Sequence, residues 1–192
     1  MITIEPTDIP DVRLVSTRWL ADDRGIFSEV YNRPRWHAAG IVDDWVQDNQ
    51  ATSHRAGTVR ALHFQRPPMA QAKLIRVLRG AIWDVVVDIR TGSPWFGRWV
   101  AAELSAANRR QLYVPTGFAH GYCTLEDDTE VLYKVGAAYA AETEGGLAWD
   151  DPDLALPWPL PPTGVVIADR DRHLPRLAEL VPCFAYRSGG GR

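Results

Sequence analysis

The stretch VRALHFQ, residues 59–65, is rich in the apolar and aromatic residues that favour β-strands. It also contains an arginine, Arg60, and a histidine, His63. Side chains along a strand point alternately to its two faces. The face that carries His63 therefore also carries Val59, Ala61 and Gln65, and Arg60 lies on the other face with Leu62 and Phe64. A strand histidine usually has a structural role, so the remaining segments decide whether His63 has a chemical one.

Short strand-like segments recur along most of the chain, separated by turn signals at residues 79–80, 91–94, 105–108 and 115–117. We expect strands at residues 26–31, 58–65, 73–78, 81–88, 99–104, 111–114, 121–125 and 131–139. Many short strands rich in Val, Ile, Trp and Tyr predict an all-β sandwich or barrel.

Helical patterns are scarce. One short helix is predicted at residues 33–40, ending at its glycine, and another after Pro175. The proline-rich segment 157–162 cannot be a central strand. A length of 192 residues fits one domain, residues 1–182, followed by a flexible tail over residues 183–192.

The composition excludes several classes of protein. A net charge of −3 argues against a general nucleic-acid-binding surface, although a few arginines can still hold one anionic ligand. The two cysteines, Cys123 and Cys183, form no CxxC motif, so zinc-ribbon and thioredoxin-like sites are not predicted. The first ten residues lack a signal-peptide pattern, and no apolar run approaches the roughly 20 residues that span a bilayer. We expect a cytoplasmic protein with free thiols that binds neither nucleic acid nor membrane.

Two further polar side chains lie on otherwise apolar strand faces. Lys73 shares its face with Ile75 and Val77, and Tyr133 lies between two valines. Each has a structural explanation when taken alone, because a lysine can extend to the rim of a barrel and a tyrosine can pack in a core with one hydrogen bond. Together with His63, however, they would supply one cavity with a base, a cation for a developing oxyanion, and an acid.

The segment YVPTGFAHGY, residues 113–122, contains the element PxGxxH. It resembles the second conserved motif of the cupins, a family of small jelly-roll barrels. In metal-binding cupins this histidine joins two histidines of an HxH motif and a glutamate. Here His63 is followed by Phe64 and Gln65, and no glutamate occurs at residues 66–70, so the four-ligand set cannot form at that spacing. We therefore expect no metal and no other cofactor, and either acid–base chemistry or binding.

Further motifs extend the resemblance to one family. In chain order they are DDRGIFSE, VQDNQ, VRALHFQ, QAKLIRVLRGAIWDVVVDIRTGSP, PTGFAHGY, VLYKV, AWDDP and ADRDR. Over about residues 10–177 the chain resembles the dTDP-4-dehydrorhamnose 3,5-epimerases, which are metal-free jelly-roll dimers. The resemblance implies an all-β, cupin-type jelly-roll barrel with a few short peripheral helices. It also implies an isomerase that converts dTDP-4-dehydro-6-deoxyglucose to dTDP-4-dehydrorhamnose, inverting C3, C5 or both.

The resemblance assigns roles residue by residue. His63 corresponds to the catalytic base, Asp171 to the carboxylate that orients it, Tyr133 to the acid on the opposite face of the sugar, and Lys73 to the residue beside the C4 carbonyl oxygen. Positions that match substrate-binding residues or polar groups of the same pocket are Arg24, Phe27, Glu29, Gln47, Asp48, Asn49, Arg60, Asp84, His120, Tyr139, Glu144 and Arg170.

Two structural expectations follow from these assignments. In the family, the segment that contains Arg24 and Glu29 comes from the neighbouring subunit, which implies a homodimer whose N-terminal segment completes the partner's site. Arg60 and His63 must also reach one ligand, although strict alternation places them on opposite faces. A bulge or strong twist near Ala61 would reconcile the two.

Four positions depart from the family pattern. Ala61 and Phe64 stand where the family has glycine and tyrosine, and Gly145 and Ala148 stand where it has arginines. The catalytic residues are intact, so these departures leave open which sugar is bound and how many centres are inverted. A C3-only or C5-only epimerase of an antibiotic deoxysugar pathway is one alternative. A non-catalytic sugar-nucleotide-binding cupin and a metal cupin are two others, disfavoured by the intact catalytic residues and by the missing ligand set.

Overall fold

The structure, a computed structural model, describes residues 2–187. Within them lie fourteen strands: β1 (Ile2–Pro6), β2 (Arg13–Thr17), β3 (Leu20–Asp22), β4 (Gly25–Phe27), β5 (Gln47–Ser53), β6 (Thr58–Gln65), β7 (Lys73–Arg79), β8 (Ala81–Asp88), β9 (Trp99–Ser105), β10 (Gln111–Val114), β11 (Phe118–Thr124), β12 (Thr129–Val135), β13 (Glu144–Gly146) and β14 (Val166–Ile167). The helix α1 (Arg33–Ala38) and the 3-10 turns Ala141–Thr143, Asp169–His173 and Leu177–Glu179 complete these elements. No helix among these residues is long and apolar enough to cross a membrane.

Two sheets of six strands form the body of the molecule. The first has the order β1-β2-β10-β7-β12-β5, and the second has the order β13-β6-β11-β8-β9, with β14 added beside β6. Neighbours in the sheets are mostly distant in sequence, as in a jelly roll. Gly80, at φ +73°, allows the chain to leave β7 of one sheet and enter β8 of the other within a single residue. The predicted all-β fold is confirmed.

Three apolar clusters hold these layers together. The cluster between the sheets includes Ile75, Ile82 and Val86, all fully buried. A second cluster covers strands β6, β8 and β11 with side chains from the C-terminal third of the chain, and a third packs Trp36 of α1 against the first sheet. Burial of this much apolar surface is the main stabilising contribution to such a sandwich.

The ladder between β6 and β11 contains the predicted irregularity. His63 pairs with His120, but Arg60 pairs with Tyr122, so three steps along β6 correspond to two steps along β11. One extra residue on β6 shifts the alternation of its side chains. Arg60 and His63 consequently line the same cavity, and the expected bulge near Ala61 is confirmed.

Several predicted elements differ from the observed ones. The strand expected at residues 26–31 is only β4, which pairs with β3 in a separate two-stranded ribbon. The strand expected at residues 131–139 ends at Val135. The helix expected after Pro175 is the single 3-10 turn Leu177–Glu179. By contrast, α1 occupies the predicted helical segment, where Asn32 caps its first turn.

Two residues of the tail expected at residues 183–192, Phe184 and Tyr186, contact the body of the protein. Thr91 exchanges backbone hydrogen bonds with Phe184 and Tyr186, each 2.9 Å long. The ring of Phe184 also packs edge-on against Phe64. Backbone pairing and aromatic burial therefore attach this segment to the body of the protein. The remaining tail, residues 188–192, lies outside the described residues.

Candidate active site

A cavity of about 530 Å³ opens between the two sheets, within the size range of ligand sites. Its walls bring together most of the residues that the sequence singled out. Those that line it are Gln47, Asn49, Arg60, His63, Lys73, His120, Tyr133, Tyr139, Glu144, Arg170 and Asp171. They come from strands β5, β6, β7, β11, β12 and β13, from the segment before β13 and from the 3-10 turn after β14.

His63 is held by a carboxylate that arrives from 108 residues further along the chain. Its Nε2 lies 3.0 Å from Oδ1 of Asp171, a buried residue of the 3-10 turn Asp169–His173. Burial alone would raise the pKa of Asp171, but the hydrogen bond and charge of His63 and the charge of Arg170 outweigh it and lower that pKa. An ionised Asp171 accepts a hydrogen bond from the Nε2–H of His63, which leaves Nδ1 as the ring nitrogen for proton transfer.

Lys73 places a buried cation beside His63. Only 8% of its surface is exposed, and its Nζ donates to the backbone carbonyl of His63 at 3.1 Å. Burial lowers the pKa of Lys73 to about 8, although the charges of Asp84 and Glu144 partly oppose the change. Lys73 is therefore still mostly protonated at neutral pH. Its positive charge is only partly balanced until an anion forms near it.

Tyr133 faces the cavity from the opposite sheet. It lies on β12, where it pairs with Asn49 on one side and Ile75 on the other. Burial raises the pKa of Tyr133, and the positive charge of Arg60 partly opposes that increase. The phenol is thus protonated at neutral pH and able to donate. Because His63 belongs to the other sheet, a planar ligand between them would meet a base on one face and an acid on the other.

A second histidine–aspartate pair lies on the wall next to His63. Nε2 of His120 is 2.8 Å from Oδ1 of Asp84, and both residues are buried. Burial lowers the pKa of His120, with the charges of Lys73 and His63 acting in the same direction and Asp84 opposing them. Asp84 does not itself line the cavity, so its contribution to the site passes through His120.

Several polar and charged side chains lie at the mouth of the cavity. Oη of Tyr139 donates to Oε2 of Glu144 at 3.1 Å, and Arg170 lies 3.8 Å from the same carboxylate. Arg60 lines the cavity without a carboxylate partner among residues 2–187. An exposed guanidinium of this kind can make bidentate contacts with a phosphate.

Three predicted residues lie apart from this cavity, on or beside the ribbon of β3 and β4. Arg24 pairs with Asp22 in the turn of the ribbon, and Glu29 pairs with Arg35 at 2.9 Å. Phe27 is 68% exposed. None of the three lines the cavity of its own subunit.

Asp48 is also placed elsewhere. Because side chains alternate along β5, Gln47 and Asn49 face the cavity and Asp48 faces outward, where Lys134 Nζ donates to its carboxylate at 2.9 and 3.0 Å. Asp48 therefore does not line the cavity of its own subunit.

Other lining residues were missed. Tyr122 contributes a ring and a buried hydroxyl that has no hydrogen-bond partner among the described residues, and burial raises the pKa of Tyr122 to about 12. Gln65 and Gln71 line the wall nearest to Tyr139. Alternation already placed Gln65 on the face of His63, which was the available signal for that residue. Tyr122 follows His120 at a spacing of two, which gave the same signal on β11.

Two of the departures from the family pattern meet at the rim. A Cβ atom on Gly145 would lie 2.6 Å from Cζ of Phe64, so the glycine accommodates the aromatic ring. The guanidinium of Arg66 lies 5.9 Å from the same ring and donates to the Glu144 carbonyl at 3.2 Å. An arginine thus lies next to position 145, although the position itself has lost its side chain.

Nothing in residues 2–187 gathers three His, Cys, Asp or Glu side chains into a metal-ligand set. Both cavity histidines instead use a ring nitrogen to bind an aspartate. The imidazole of His63, the ammonium of Lys73 and the phenol of Tyr133 share this space, and together they can carry out acid–base catalysis.

Comparison with known proteins identifies the family. A family model described as dTDP-4-dehydrorhamnose 3,5-epimerase matches residues 6–179. A dTDP-4-dehydrorhamnose 3,5-epimerase of Sinorhizobium fredii (strain NBRC 101917 / NGR234) is 50% identical over 179 residues, which cover 93% of this chain and 91% of that protein.

Solved structures agree with this match. The enzyme of that name from Bacillus anthracis strain Ames, with TDP and PPi bound, gives a TM-score of 0.88 at 46% identity and covers 92% of this chain and 99% of its own. The dTDP-6-deoxy-D-glucose-3,5-epimerase of Legionella pneumophila Philadelphia 1, in complex with dTDP-4-keto-L-rhamnose, gives 0.91 at 38% identity and covers 98% and 100%. The chain therefore belongs to the dTDP-4-dehydrorhamnose 3,5-epimerase family.

Proposed function

We propose that this cavity epimerises a dTDP-4-keto-6-deoxyhexose at C3 and C5, by removing a proton from one face of the sugar and returning one to the other. The observation that carries the proposal is the position of His63 and Tyr133 on opposite sheets of one cavity, with Lys73 between the apolar core and that space. The Legionella relative holds dTDP-4-keto-L-rhamnose, which supports the same substrate class here.

The first step is proton abstraction by His63. The C4 ketone makes the hydrogens on C3 and C5 acidic, because the electrons of the broken C–H bond pass to the carbonyl oxygen as an enolate. Asp171 holds Nε2 of His63 and stabilises the imidazolium that forms when Nδ1 takes the proton. Both carbons flank the same ketone, so a single base and a single oxyanion site serve both centres.

Lys73 stabilises the enolate. Its ammonium is already stripped of water, so its interaction with a new negative charge is stronger than that of a solvated lysine. Loss of such an oxyanion partner typically lowers the rate by about 10²–10³-fold. The neighbouring pair of His120 and Asp84 keeps further polar groups fixed on this wall.

Tyr133 completes the inversion. It donates its phenolic proton to the carbon from the face opposite His63, which restores the ketone and leaves a phenolate and an imidazolium. Exchange of protons with solvent returns both groups to their starting states. Arg60, whose charge favours the phenolate of Tyr133, supports this step and can also bind a phosphate of the nucleotide.

Solvent deuterium exchange tests the proposal directly. Wild-type protein should incorporate deuterium at C3 and C5 of dTDP-4-dehydro-6-deoxyglucose in D₂O, and NMR resolves the two positions. His63→Ala should abolish incorporation at both. His54→Ala is the matched control, since His54 forms a comparable aspartate pair with Asp128 but is exposed and lies outside the cavity. Incorporation of deuterium at only one of the two carbons would contradict the proposal and would indicate a mono-epimerase.

We also propose a homodimer in which Arg24, Phe27 and Glu29 reach the partner's cavity. The ribbon of β3 and β4 supports this, because it pairs with neither main sheet and all six of its residues are exposed. Isolated two-stranded ribbons are only marginally stable in water. A second copy of the chain would cover the exposed Ile26 and Phe27.

A reducing, cytoplasmic location fits the free cysteines Cys123 and Cys183.

Mixed dimers distinguish a shared site from two separate ones. His63→Ala and Arg24→Ala subunits, each poorly active alone, are co-expressed with different tags and purified as heterodimers. If Arg24 acts in the partner's cavity, one site carries both changes and the other carries neither, so about half of the wild-type activity returns. If Arg24 acts only in its own subunit, each site carries one change and activity stays low, which contradicts the proposal.

A further inference from the structure

The segment that follows β12, residues 137–140, lies beside the cavity mouth and pairs with no strand among residues 2–187. Its backbone groups are instead held by side-chain amides. Nε2 of Gln71 donates to the Ala137 carbonyl at 2.8 Å, and Nε2 of Gln65 donates to the Ala138 carbonyl at 3.1 Å. Oε1 of Gln47 accepts from the Tyr139 N–H at 3.0 Å, and Oε1 of Gln65 accepts from the Ala140 N–H at 2.8 Å.

We propose that Gln47, Gln65 and Gln71, here called the glutamine clamp, hold this segment in place and thereby fix Tyr139 for binding of the sugar nucleotide. Gln65 and Gln71 are then positioning residues that act through Tyr139 and touch no reacting atom. The inference rests on the proposed function, because it takes Tyr139 as a substrate-binding residue.

The clamp reaches the segment from both walls of the cavity. Gln47 lies on β5 of the first sheet, and Gln65 lies on β6 of the second. All three glutamines line the cavity, so their amides lie between the segment and the space that a ligand would fill. The segment therefore bridges the two sheets at the mouth, and its position depends on side chains from each of them.

Gln65 is the central member of the clamp. It is 4% exposed, and both the oxygen and the nitrogen of its amide make hydrogen bonds. Besides its bonds to the segment, Nε2 donates to the Met69 carbonyl at 2.7 Å. Replacing this amide with an apolar side chain removes the side-chain partner of backbone groups on two loops. Gln47 is also fixed, because its Nε2 donates to Oδ1 of Asn49 at 2.8 Å.

Tyr139 is the residue whose position the clamp fixes. Its side chain is 55% exposed at the mouth, while its backbone N–H is tied to Gln47 and its hydroxyl to Glu144. A binding residue on an untethered loop must be ordered when the ligand arrives, which weakens binding. A tethered segment has already lost that freedom, so the clamp should lower the KM without changing the proton-transfer steps.

Two variants test the inference, with one matched control. Gln65→Met removes three hydrogen bonds, and Gln71→Met removes one from a less buried position, which guards against failure to fold. Asn108→Ala is the control, because the Asn108 amide also makes three hydrogen bonds to backbone groups, at the distant turn between β9 and β10. Amide hydrogen exchange, dTDP calorimetry and steady-state kinetics are measured on each dimer.

We expect faster exchange of the Tyr139 and Ala140 amides in both glutamine variants, but not in Asn108→Ala. Gln65→Met should raise the KM and the Kd for dTDP by about tenfold, the effect of losing one or two net hydrogen bonds, with kcat within about twofold of wild type. In a Tyr139→Ala background, Gln65→Met should add less than about twofold to the KM.

Three outcomes would overturn the inference. They are unchanged exchange of the Tyr139 and Ala140 amides in the glutamine variants, an effect on kcat with no effect on the KM, and full additivity of the KM effects of Gln65→Met and Tyr139→Ala. Exchange and calorimetry need no turnover, so they also separate this inference from the proposed activity. If the wild-type protein binds dTDP and responds to the clamp variants as expected but epimerises no sugar, the clamp stands and the proposed function fails.

Discussion

Lys73 should lower the stability of the fold that carries it. The residue is 8% exposed, and burial lowers its pKa from 10.5 to about 8. That drop corresponds to about 3 kcal/mol of folding free energy lost at pH 7. Lys73→Met has a similar length and no charge to desolvate. It forfeits the hydrogen bond to the His63 carbonyl, about 1 kcal/mol, so we expect a net gain in stability of about 1–3 kcal/mol together with loss of epimerase activity.

The pH dependence identifies the cause of this gain. The folded protein loses the Lys73 proton near pH 8, whereas the unfolded chain loses it near pH 10.5. Between those values the unfolded state binds more protons, so the stability of the wild-type protein rises with pH. The advantage of Lys73→Met should therefore be largest below pH 8, should fall to about half by pH 9 and should nearly vanish by about pH 9.5.

Urea denaturation measures both quantities. The protein concentration is kept fixed, because the unfolding of the proposed dimer would depend on it. Lys134→Met is the matched control, since Lys134 lies on the same strand as Tyr133 but its ammonium pairs with the exposed Asp48. Its stability should change by no more than about 0.5 kcal/mol. If Lys73→Met destabilises the protein at pH 7, or if its advantage does not change with pH, the buried-cation account of Lys73 is wrong.

The remaining predictions concern activity. Tyr133→Phe should retain deuterium exchange but impair inversion, because the enolate can still form and be reprotonated from the side of His63; equal loss of exchange in His63→Ala and Tyr133→Phe would refute the assigned roles. The kcat/KM should fall as pH rises above about 8, where Lys73 loses its proton; a pH-rate profile that stays flat to pH 10 would contradict a role for the ammonium. Exhaustive chelation should leave activity unchanged, and restoration of a lost activity by one divalent metal would exclude the metal-free mechanism.

Strand alternation predicted much of the active site from the sequence. His63, Lys73 and Tyr133 lie on faces whose other members are apolar, and in a closed sandwich such faces point inward and converge. Arg60 broke that rule, and the shift in pairing between β6 and β11 accounts for it. Asp171 could not have been placed by alternation, since it belongs to a 3-10 turn that meets β6 only through tertiary packing.

The strand β5 shows why part of the fold was missed. Its sequence, QDNQATS, has almost none of the residues that favour strands. It lies at the edge of the first sheet beside β12. Its burial alternates, so the side chains of one face are exposed and those of the other line the cavity. A strand that is polar on both faces shows no alternation of apolar and polar residues, so the sequence pattern does not predict it. Its conformation is determined by tertiary pairing alone.

The same reasoning explains where local rules of sequence fail in this molecule. The irregular step on β6, the polar strand β5 and the segment 137–140 all border one cavity. By contrast, β7 and β8, most of whose apolar residues are buried, follow their predicted bounds closely. A cavity for a charged sugar nucleotide needs polar groups turned inward, and each must be held by a specific partner because water cannot satisfy it. Asp171 holds His63, Asp84 holds His120, and the glutamine clamp holds the mouth. Failures of periodicity in this chain therefore mark its site as clearly as the motifs do.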